Sequence, residues 1–220
     1  MDDNLIHVYL MPGMAANPII FEHIKLPEDQ FKIHWLEWMI PEKGESLQDY
    51  AKRMTNHIQH DNVVLLGVSF GGMLVQEMSK HINVRKLFVV SSVKSKHELP
   101  KRLKLLKYGK AYKMLPTQLL GNIDLLAKYA FGETINKRIE LYKKYLSVND
   151  KRYLDWAIEQ VVCWEQDQPN PDAIYIHGNK DAVFPNSCQG DCIVIKGGTH
   201  IMIINKYKWF NENLPKLILS

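Results

Sequence analysis

The feature that most constrains the fold is an apolar run that leads directly into a glycine-rich turn. Val63 to Val68 (VVLLGV) has no polar side chain, which is typical of a parallel strand covered on both faces. The chain then follows the pattern G-x-S-x-G from Gly67 to Gly71, and Met73 to His81 has the apolar spacing of a helix. Chance alone would give roughly 0.03 such matches. The segment is predicted to be a strand, a sharp turn at Ser69 and a helix.

Glycine-rich strand-to-helix turns also occur in nucleotide-binding folds. Those folds need G-x-G-x-x-G for a dinucleotide or Gly-Lys-Ser/Thr for a P-loop, and the sequence contains neither pattern. In a nucleophile elbow, glycines remove Cβ atoms where strand and helix crowd together, and the turn lifts a serine hydroxyl above the end of the sheet. Ser69 is therefore a candidate nucleophile.

A serine hydroxyl needs a base within hydrogen-bond reach, and that base needs a carboxylate to orient it. Asp181 follows a predicted strand at Ala173 to His177, and His200 follows one at Cys192 to Ile195 through a Gly-Gly loop. Both residues come after the carboxyl ends of strands, where α/β sheets place their ligands. Asp191 is an alternative acid, but it precedes a strand and is expected at the opposite end of the sheet.

The rest of the chain alternates short strands with helical patterns. Strands are predicted at Ile6 to Leu10, Phe31 to Leu36 and Lys86 to Val90, and an amphipathic helix is predicted at Glu45 to Ile58. This order predicts an α/β fold with a mostly parallel sheet flanked by helices. A length of 220 residues, 46% of them hydrophobic, is that of a single domain spanning 1–220.

With these residues in place, the chain resembles the α/β-hydrolase superfamily over nearly its whole length. The order Ser69, Asp181, His200 is that family's order of nucleophile, acid and base. The resemblance implies that Ser69 is the nucleophile, His200 the general base and Asp181 the carboxylate that orients the imidazole. It also implies an oxyanion hole formed by the backbone N–H groups of Phe70 and Met14.

The sequence departs from the family's pattern at two places. The chain starts almost directly with the strand at Ile6 to Leu10, so the family's first strands are not expected and the sheet is predicted to have about six strands. The loop after that strand has Pro12-Gly13 where the family commonly has His-Gly. Because a backbone N–H does not depend on the side chain, this loop is still predicted to supply a donor.

A helical segment from Lys94 to Gln168 interrupts the strand pattern where the family inserts its cap. The resemblance implies that 94–168 forms a helical cap that shapes the substrate pocket. Tyr153, Trp156 and Trp164 are candidate substrate-binding residues, although aromatics at helical spacing more often serve packing.

The first part of this insertion, Lys94 to Lys113, is strongly basic. It has eight Lys and Arg against one Glu, a local charge of +7. Such a basic segment either draws in anionic substrates or a membrane surface, or is an ordinary solvated helix face. The two interpretations differ in how activity should respond to salt.

Composition argues against several classes of protein. The 28 Lys and Arg against 24 Asp and Glu leave +4, too little to indicate a nucleic-acid partner. No stretch of 18 apolar residues occurs, so no membrane span is expected, and the acidic start does not resemble a secretory signal. Three cysteines late in the chain do not indicate a disulfide framework. A cytoplasmic protein is therefore expected.

No metal or cofactor is expected from the sequence. His57 and His60 lie three residues apart, a spacing compatible with a metal site, but no nearby cysteine or paired carboxylate completes one. These two histidines are interpreted as surface residues.

The resemblance implies a cofactor-free serine hydrolase that cleaves a small-molecule ester or thioester through an acyl-enzyme, as a carboxylesterase or thioesterase does. The same triad serves amidases, acyltransferases, lyases and cofactor-free peroxidases, so these activities stay open. A non-catalytic ligand-binding protein of this fold is an alternative from a different class. A pure binder has no need of Ser69, Asp181 and His200 together, and the sequence predicts no particular oligomeric state.

Overall fold

The computed structural model describes residues 5–114, 144–185 and 190–220, which are built around one parallel sheet. Six strands lie in the order β2-β1-β3-β4-β5-β6, and each neighbouring pair is parallel. The strands are β1 (Ile6–Met11), β2 (Phe31–Trp35), β3 (Val63–Val68), β4 (Lys86–Val90), β5 (Ala173–Gly178) and β6 (Ile193–Ile195). The predicted α/β fold with a sheet of about six strands is confirmed.

The strand boundaries follow the apolar pattern closely. β3 and β4 have the predicted bounds, and each of the other strands differs from its predicted span by one residue at one end. All residues of β3 are buried because β3 lies between β1 and β4 and is covered on both faces. β2 is an edge strand, and only its first residue, Phe31, is buried.

Helices connect these strands and cover the sheet. They are α1 (Leu47–Met54), α2 (Phe70–Met78), α3 (Lys101–Lys107), α4 (Lys151–Cys163), α5 (Met202–Asn205) and α6 (Tyr207–Leu219). Short 3₁₀ turns occupy Pro18–Phe21, Thr55–His57, Lys96–Glu98 and Tyr108–Met114. None of the helices in the described part of the chain is long and apolar enough to cross a membrane.

A serine cap sets where α1 begins, and the sharp turn at Ser69 sets where α2 begins. The Ser46 side chain accepts a hydrogen bond from the Asp49 N–H at 3.1 Å, which makes α1 start later than the predicted Glu45. α2 starts at Phe70, directly after the turn and earlier than the predicted Met73. The helix therefore begins at the residue that follows Ser69.

The chain changes its direction of travel across the sheet between β1 and β3. The connection from β1 leads outward to β2, and the next connection, through α1, returns past β1 to β3. Right-handed crossovers in opposite directions lie on opposite faces of a sheet. The loops that follow β1 and β3 thus diverge at a topological switch point, where open α/β sheets bind ligands.

The predicted cap falls partly on described residues. Its last helix, α4, packs against α1 through the Trp156 and Tyr50 rings, whose centroids are 4.4 Å apart. Directly after α4, Trp164 Nε1 donates to Glu77 Oε1 of α2 at 2.9 Å. Residues 115–143 of the predicted insertion lie outside the described part of the chain. The division into one domain, 1–220, with a cap at 94–168 stays a prediction.

The described cysteines are in two different states. Cys163 is a free thiol, whereas Cys192 is disulfide-bonded. One bonded cysteine is not a framework of several disulfides, so the prediction from the cysteine pattern stays a prediction.

Histidines collect on the β2 side of the sheet. His7 and His34 are half-buried, and Nδ1 of His7 lies 2.9 Å from Nε2 of His34. Burial, and to a smaller extent the charges of the nearby His60 and His7, lower the pKa of His34 to about 4, because burial and adjacent positive charges both disfavour the protonated ring. Burial lowers the pKa of His7 as well, so both rings are neutral at pH 7.

Candidate active site

Ser69 occupies a sharp turn between β3 and α2. Its φ of 55° and ψ of −120° lie outside the regions that L-residues ordinarily adopt, so the turn is strained. A Cβ built on Gly67 would lie 2.2 Å from the Gly71 carbonyl oxygen, and one built on Gly71 would lie 2.3 Å from the Pro12 carbonyl oxygen. These distances are too short for any non-bonded contact, so only glycine fits at either position. The predicted strand, turn and helix are all present.

Hydrogen bonds hold this strained turn. The Ser69 N–H donates to the Val90 carbonyl of β4 at 2.9 Å. The Ser69 carbonyl accepts from Ser92 Oγ at 2.7 Å and from the Gly72 N–H at 2.8 Å. The backbone of Ser69 is thus fixed on both sides, which places its hydroxyl before any substrate arrives.

The three residues predicted as a triad are brought together in hydrogen-bond contact. Nε2 of His200 lies 2.9 Å from Ser69 Oγ, and Nδ1 of His200 lies 2.9 Å from Asp181 Oδ2. A carboxylate only accepts hydrogen bonds, so Nδ1 carries the ring proton and donates it to Asp181. Nε2 is then the bare nitrogen that accepts the Ser69 hydroxyl proton. This arrangement matches the geometry of a nucleophile, a base and an orienting carboxylate.

Asp181 is held in place by its own loop. Its Oδ1 accepts from the N–H groups of Val183 at 2.8 Å and Phe184 at 3.0 Å, and its side chain is 0% exposed. Burial alone would raise the pKa of Asp181, but the hydrogen bond and charge of His200 and the Phe184 N–H outweigh it and leave the pKa below its usual value. The side chain is therefore a carboxylate at neutral pH.

The loops that carry Asp181 and His200 are packed directly against each other. A Cβ on Gly178 would lie 2.2 Å from the Gly198 carbonyl oxygen, so the two backbones touch where β5 and β6 end. The Lys180 N–H donates to the same Gly198 carbonyl at 2.8 Å, and Asn179 Oδ1 accepts from the Gly197 N–H at 2.7 Å. These contacts set the spacing between the acid and the base.

The loop after β1 lies against the nucleophile. A Cβ built on Gly13 would be 3.3 Å from the Ser69 Cβ, which is a tight contact. The Gly13 carbonyl accepts a hydrogen bond from Trp38 Nε1 at 2.9 Å, and the Trp38 ring stacks on Phe70 with centroids 5.0 Å apart. Trp38 thus joins the loop that contains Met14 to the residue after Ser69. The oxyanion-hole role of the Met14 and Phe70 amides stays a prediction.

Two residues that contact the site, Trp38 beside Gly13 and His177 beside Asp181, were not predicted from the sequence. His177 ends the apolar part of β5 four residues before Asp181, so its position at a strand end could have revealed it. Trp38 lies in the segment between β2 and α1, and no motif marks it.

The aromatic residues predicted to bind substrate are all buried in the structure. The indole N–H groups of Trp156 and Trp164 donate to the Glu45 carbonyl and the Glu77 carboxylate, which is the packing role typical of such residues. Tyr153 differs, because its hydroxyl is buried and forms no hydrogen bond with the described residues. Burial raises the pKa of Tyr153 well above its usual range, so the hydroxyl stays protonated.

The alternative acid is not in contact with the histidine in this structure. The hydrogen bond to Nδ1 of His200 comes from Asp181, whereas Asp191 uses its carbonyl oxygen to accept from Lys94 Nζ at 3.1 Å. Of the two carboxylates, Asp181 is the one that lies beside the imidazole.

The basic segment is partly neutralised by a short acidic stretch. Lys96 Nζ lies 3.0 Å from Asp167 Oδ1, and Lys107 is paired with Glu165. Lys104 Nζ donates to the His97 carbonyl at 2.7 Å. These contacts favour the solvated-face interpretation, because acidic residues of the same protein neutralise part of the local positive charge.

Comparison with known proteins gives matches in structure. No family model and no curated protein matches the sequence. An esterase from Exiguobacterium antarcticum is 19% identical with a TM-score of 0.70, covering 98% of this chain and 92% of that chain. A bromoperoxidase from Bacillus anthracis is 18% identical with a TM-score of 0.71, covering 98% and 92%. A structure from work on carboxylesterases of Nitrososphaera gargenis is 15% identical with a TM-score of 0.69, covering 99% and 91%.

The matched structures are members of one fold class. The strand order, the turn at Ser69 and these similarities together show that the chain has the α/β-hydrolase fold, as the resemblance implied. At identities below 20% the similarity concerns the fold and not the activity.

Proposed function

We propose that this protein is a serine hydrolase that cleaves a carboxylic ester or thioester through an acyl-enzyme. One observation carries the proposal: Ser69, His200 and Asp181 form a continuous hydrogen-bond chain, with both links 2.9 Å long, at a strained strand-to-helix turn. A folded protein keeps local strain only where its surroundings enforce it, and such strain is concentrated at functional sites.

In the first half of the reaction, Ser69 Oγ attacks the carbonyl carbon of the substrate while its proton passes to Nε2 of His200. Asp181 stabilises the imidazolium that forms. The backbone N–H groups of Phe70 and Met14 donate to the oxyanion of the tetrahedral intermediate. When the intermediate collapses, the bond to the alcohol or thiol breaks, and His200 returns its proton to that leaving group. The acyl group remains on Ser69.

In the second half, water takes the place of the alcohol or thiol. His200 removes a proton from the water as the water oxygen attacks the acyl carbon, and the same N–H groups bind the second oxyanion. Collapse releases the carboxylic acid and restores the Ser69 hydroxyl with the proton held by His200. The two halves leave the protein unchanged.

Ester chemistry is favoured by the kinds of protein that share the fold. The similar structures at TM-scores of 0.69 and 0.70 come from work on carboxylesterases and from an esterase. Another at 0.70 is an enol-lactonase from Burkholderia xenovorans, and a lactone is an internal ester. The bromoperoxidase similarity keeps cofactor-free peroxidase chemistry as the second candidate on the same triad. The three aromatic residues predicted to bind substrate do not add to this support, because Trp156 and Trp164 use their indole N–H groups in packing and Tyr153 is fully buried, so their substrate-binding role stays a prediction.

The test is covalent labelling with a fluorophosphonate, followed by mass spectrometry of the modified peptide. We expect one label per chain on Ser69, none in Ser69→Ala, and normal labelling in Ser220→Ala, which changes an exposed serine at the end of the chain. Hydrolysis of esters graded in acyl length then reports substrate preference. A wild-type protein that is folded, is not labelled and hydrolyses no ester would exclude the proposed function and favour the ligand-binding alternative.

A further inference from the structure

Three imidazole rings converge at the β2 side of the sheet. They come from β1 (His7), from β2 (His34) and from the segment between α1 and β3 (His60). One nitrogen of each ring lies within 4.8 Å of the corresponding nitrogens of the other two. In the ranges that the structure describes, this is the one group of three or more His, Cys, Asp or Glu side chains that converges so closely.

The sheet register explains why two of these rings meet. Tyr9 lies opposite His34 in the pairing of β1 with β2, and His7 lies two residues before Tyr9, so all three side chains project from the same face. His60 reaches this face from outside the sheet, and its Nδ1 lies 2.6 Å from the Tyr9 hydroxyl. Residues far apart in sequence are thus placed together by the fold.

We propose that His7, His34 and His60 form a binding site for a divalent transition-metal ion, with Zn²⁺ as the best match. Imidazole nitrogen is a preferred donor for zinc, copper and nickel, whereas magnesium and calcium take oxygen donors. Three protein nitrogens plus one water complete the tetrahedral coordination of an open zinc site. The site is independent of the proposed hydrolase activity.

Tyr9 supplies the outer contact that such a site needs. A metal-ligating histidine usually donates its second ring N–H to a fixed acceptor, which sets the tautomer and the ring orientation. The Tyr9 hydroxyl has two lone pairs, so it accepts from the Gln59 N–H at 3.3 Å and also from Nδ1 of His60. In that state Nε2 of His60 is bare and available to the ion.

Metal binding requires only small movements of the rings. Two nitrogens bound to one tetrahedral zinc are about 3.3 Å apart, given Zn–N bonds of about 2.0–2.1 Å, and the facing nitrogens of His7 and His34 are 2.9 Å apart. The His60 ring stacks on His7 with centroids 3.7 Å apart, so it must turn until its nitrogen points to the ion. Both changes are side-chain rotations and leave the strands in place.

The site is reachable from solvent and distant from Ser69. His34, His60 and Tyr9 line an open cavity of about 900 Å³, through which an ion can enter. Val63 lies beside His7 in the sheet, and Ser69 lies six residues further along the chain. At about 3.3 Å per strand residue this separates the histidines from the serine by roughly 20 Å.

Isothermal titration of the full chain with ZnCl₂, after removal of metal with a chelator, tests the proposal. We expect one ion per chain with a Kd of about 1 μM or tighter. His34→Ala and His60→Ala should each weaken binding by at least about 100-fold, and Tyr9→Phe by about 10-fold. Zinc at about 100 times its Kd should also raise the Tm of the wild type by roughly 5–10 °C. X-ray absorption of the zinc complex should show three imidazole ligands.

Two control variants make the result specific. His57→Ala changes another histidine that lines the same cavity, and His200→Ala removes the histidine beside Ser69. Each should bind zinc within about twofold of wild type. His60 lies in a connecting segment, so its variant tests the site even where a change in the strand at His34 affects folding. No binding by the wild type, unchanged binding in His60→Ala, or loss of binding in His200→Ala would each overturn the proposal.

Discussion

His177 lies against the same carboxylate oxygen of Asp181 that accepts the hydrogen bond from His200, with its Nε2 3.4 Å from Oδ2. Its shorter contact is to the Phe184 carbonyl, which accepts from Nε2 at 3.0 Å. Burial lowers the pKa of His177, although the charge of Asp181 opposes this, so the ring is neutral at pH 7. A neutral ring fixes the loop that presents Asp181 without adding a positive charge that would compete with His200.

Replacement of His177 is therefore expected to act through Asp181. In His177→Ala the Phe184 carbonyl loses the hydrogen bond from Nε2, which should cost about 0.5–1.5 kcal/mol of stability, and kcat should fall about 10- to 100-fold as the acid shifts. KM should change little. His177→Gln keeps an N–H in a similar place and should restore most of kcat. Steady-state kinetics and urea unfolding measure both effects, and equal kcat in the Ala and Gln variants would remove His177 from the positioning of Asp181.

The hydrogen-bond chain predicts unequal effects of single substitutions. Ser69→Ala should lower kcat by about 10⁴ to 10⁶ because triad members act as a unit, while the far-UV circular dichroism stays unchanged. Asp181→Asn should cost about 10³ to 10⁴ because an amide no longer holds the required tautomer of His200. Asp191→Asn is the matched control and should stay within about threefold of wild type. Activity of Ser69→Ala within tenfold of wild type would show that another group is the nucleophile.

The pH dependence of kcat/KM tests the proposed base. The pKa of Asp181 lies below its usual value because His200 and the Phe184 N–H offset the effect of burial, so Asp181 is a carboxylate at neutral pH. A mechanism in which a neutral imidazole accepts the Ser69 proton predicts that kcat/KM falls with decreasing pH along a single ionisation. Measurement of kcat/KM from pH 4 to 9 tests this, and a flat profile from pH 5 to 8 would argue against a histidine base.

Most of the fold was predictable because its information is local. An apolar run such as Val63–Val68 indicates a strand covered on both faces even when its neighbouring strands are unknown. The bounds of this strand were predicted to the residue. The turn at Ser69 was also local, since Gly67 and Gly71 lie within two residues of it. The sequence places Asp181 and His200 after strand ends, but it does not give their distance from Ser69. Their contact with Ser69 was predicted only through the family resemblance.

What was missed depends on contacts between distant segments. His60 was considered with His57 because the two are close in sequence, but in space it meets His7 and His34, which β1 and β2 supply. Trp38 touches the loop after β1 through a single indole N–H, and no pattern in the sequence encodes that contact. Side-chain clusters formed across strands require the strand order and register, which apolar patterns do not provide.

The glycines of the elbow predict a sharp contrast between two alanine substitutions. Gly67→Ala forces a Cβ to 2.2 Å from the Gly71 carbonyl oxygen, so the turn must open, and we expect a loss of more than about 3 kcal/mol or failure to fold. Gly44 has a φ of +75° but nothing within 4 Å, so Gly44→Ala should cost only about 1 kcal/mol of backbone strain. Urea unfolding compares the two, and equal losses would mean that crowding at the elbow is relieved elsewhere.

The salt response of the basic segment distinguishes its two interpretations. Because Lys96 and Lys107 are paired with Asp167 and Glu165, we expect kcat/KM for an anionic and a neutral ester of equal acyl length to respond alike between about 0.02 and 0.5 M salt. A Lys101/Lys104→Gln variant should show the same response. A preference for the anion that salt and the variant both remove would instead support electrostatic steering into the pocket.

The histidine cluster makes the metal-free fold sensitive to acid. Burial and neighbouring histidines hold the pKa of His34 at about 4 in the folded chain, whereas an unfolded histidine titrates near about 6.5. Between these values the unfolded chain binds the proton more readily, so the stability that neutral His34 provides is present above about 6.5 and is lost as the pH falls toward 4. Urea unfolding in EDTA should show a smaller decline over this window in His34→Gln than in wild type. His57→Gln, a change outside the cluster, should keep the wild-type slope, and equal slopes for all three proteins would show that His34 is not the group that responds.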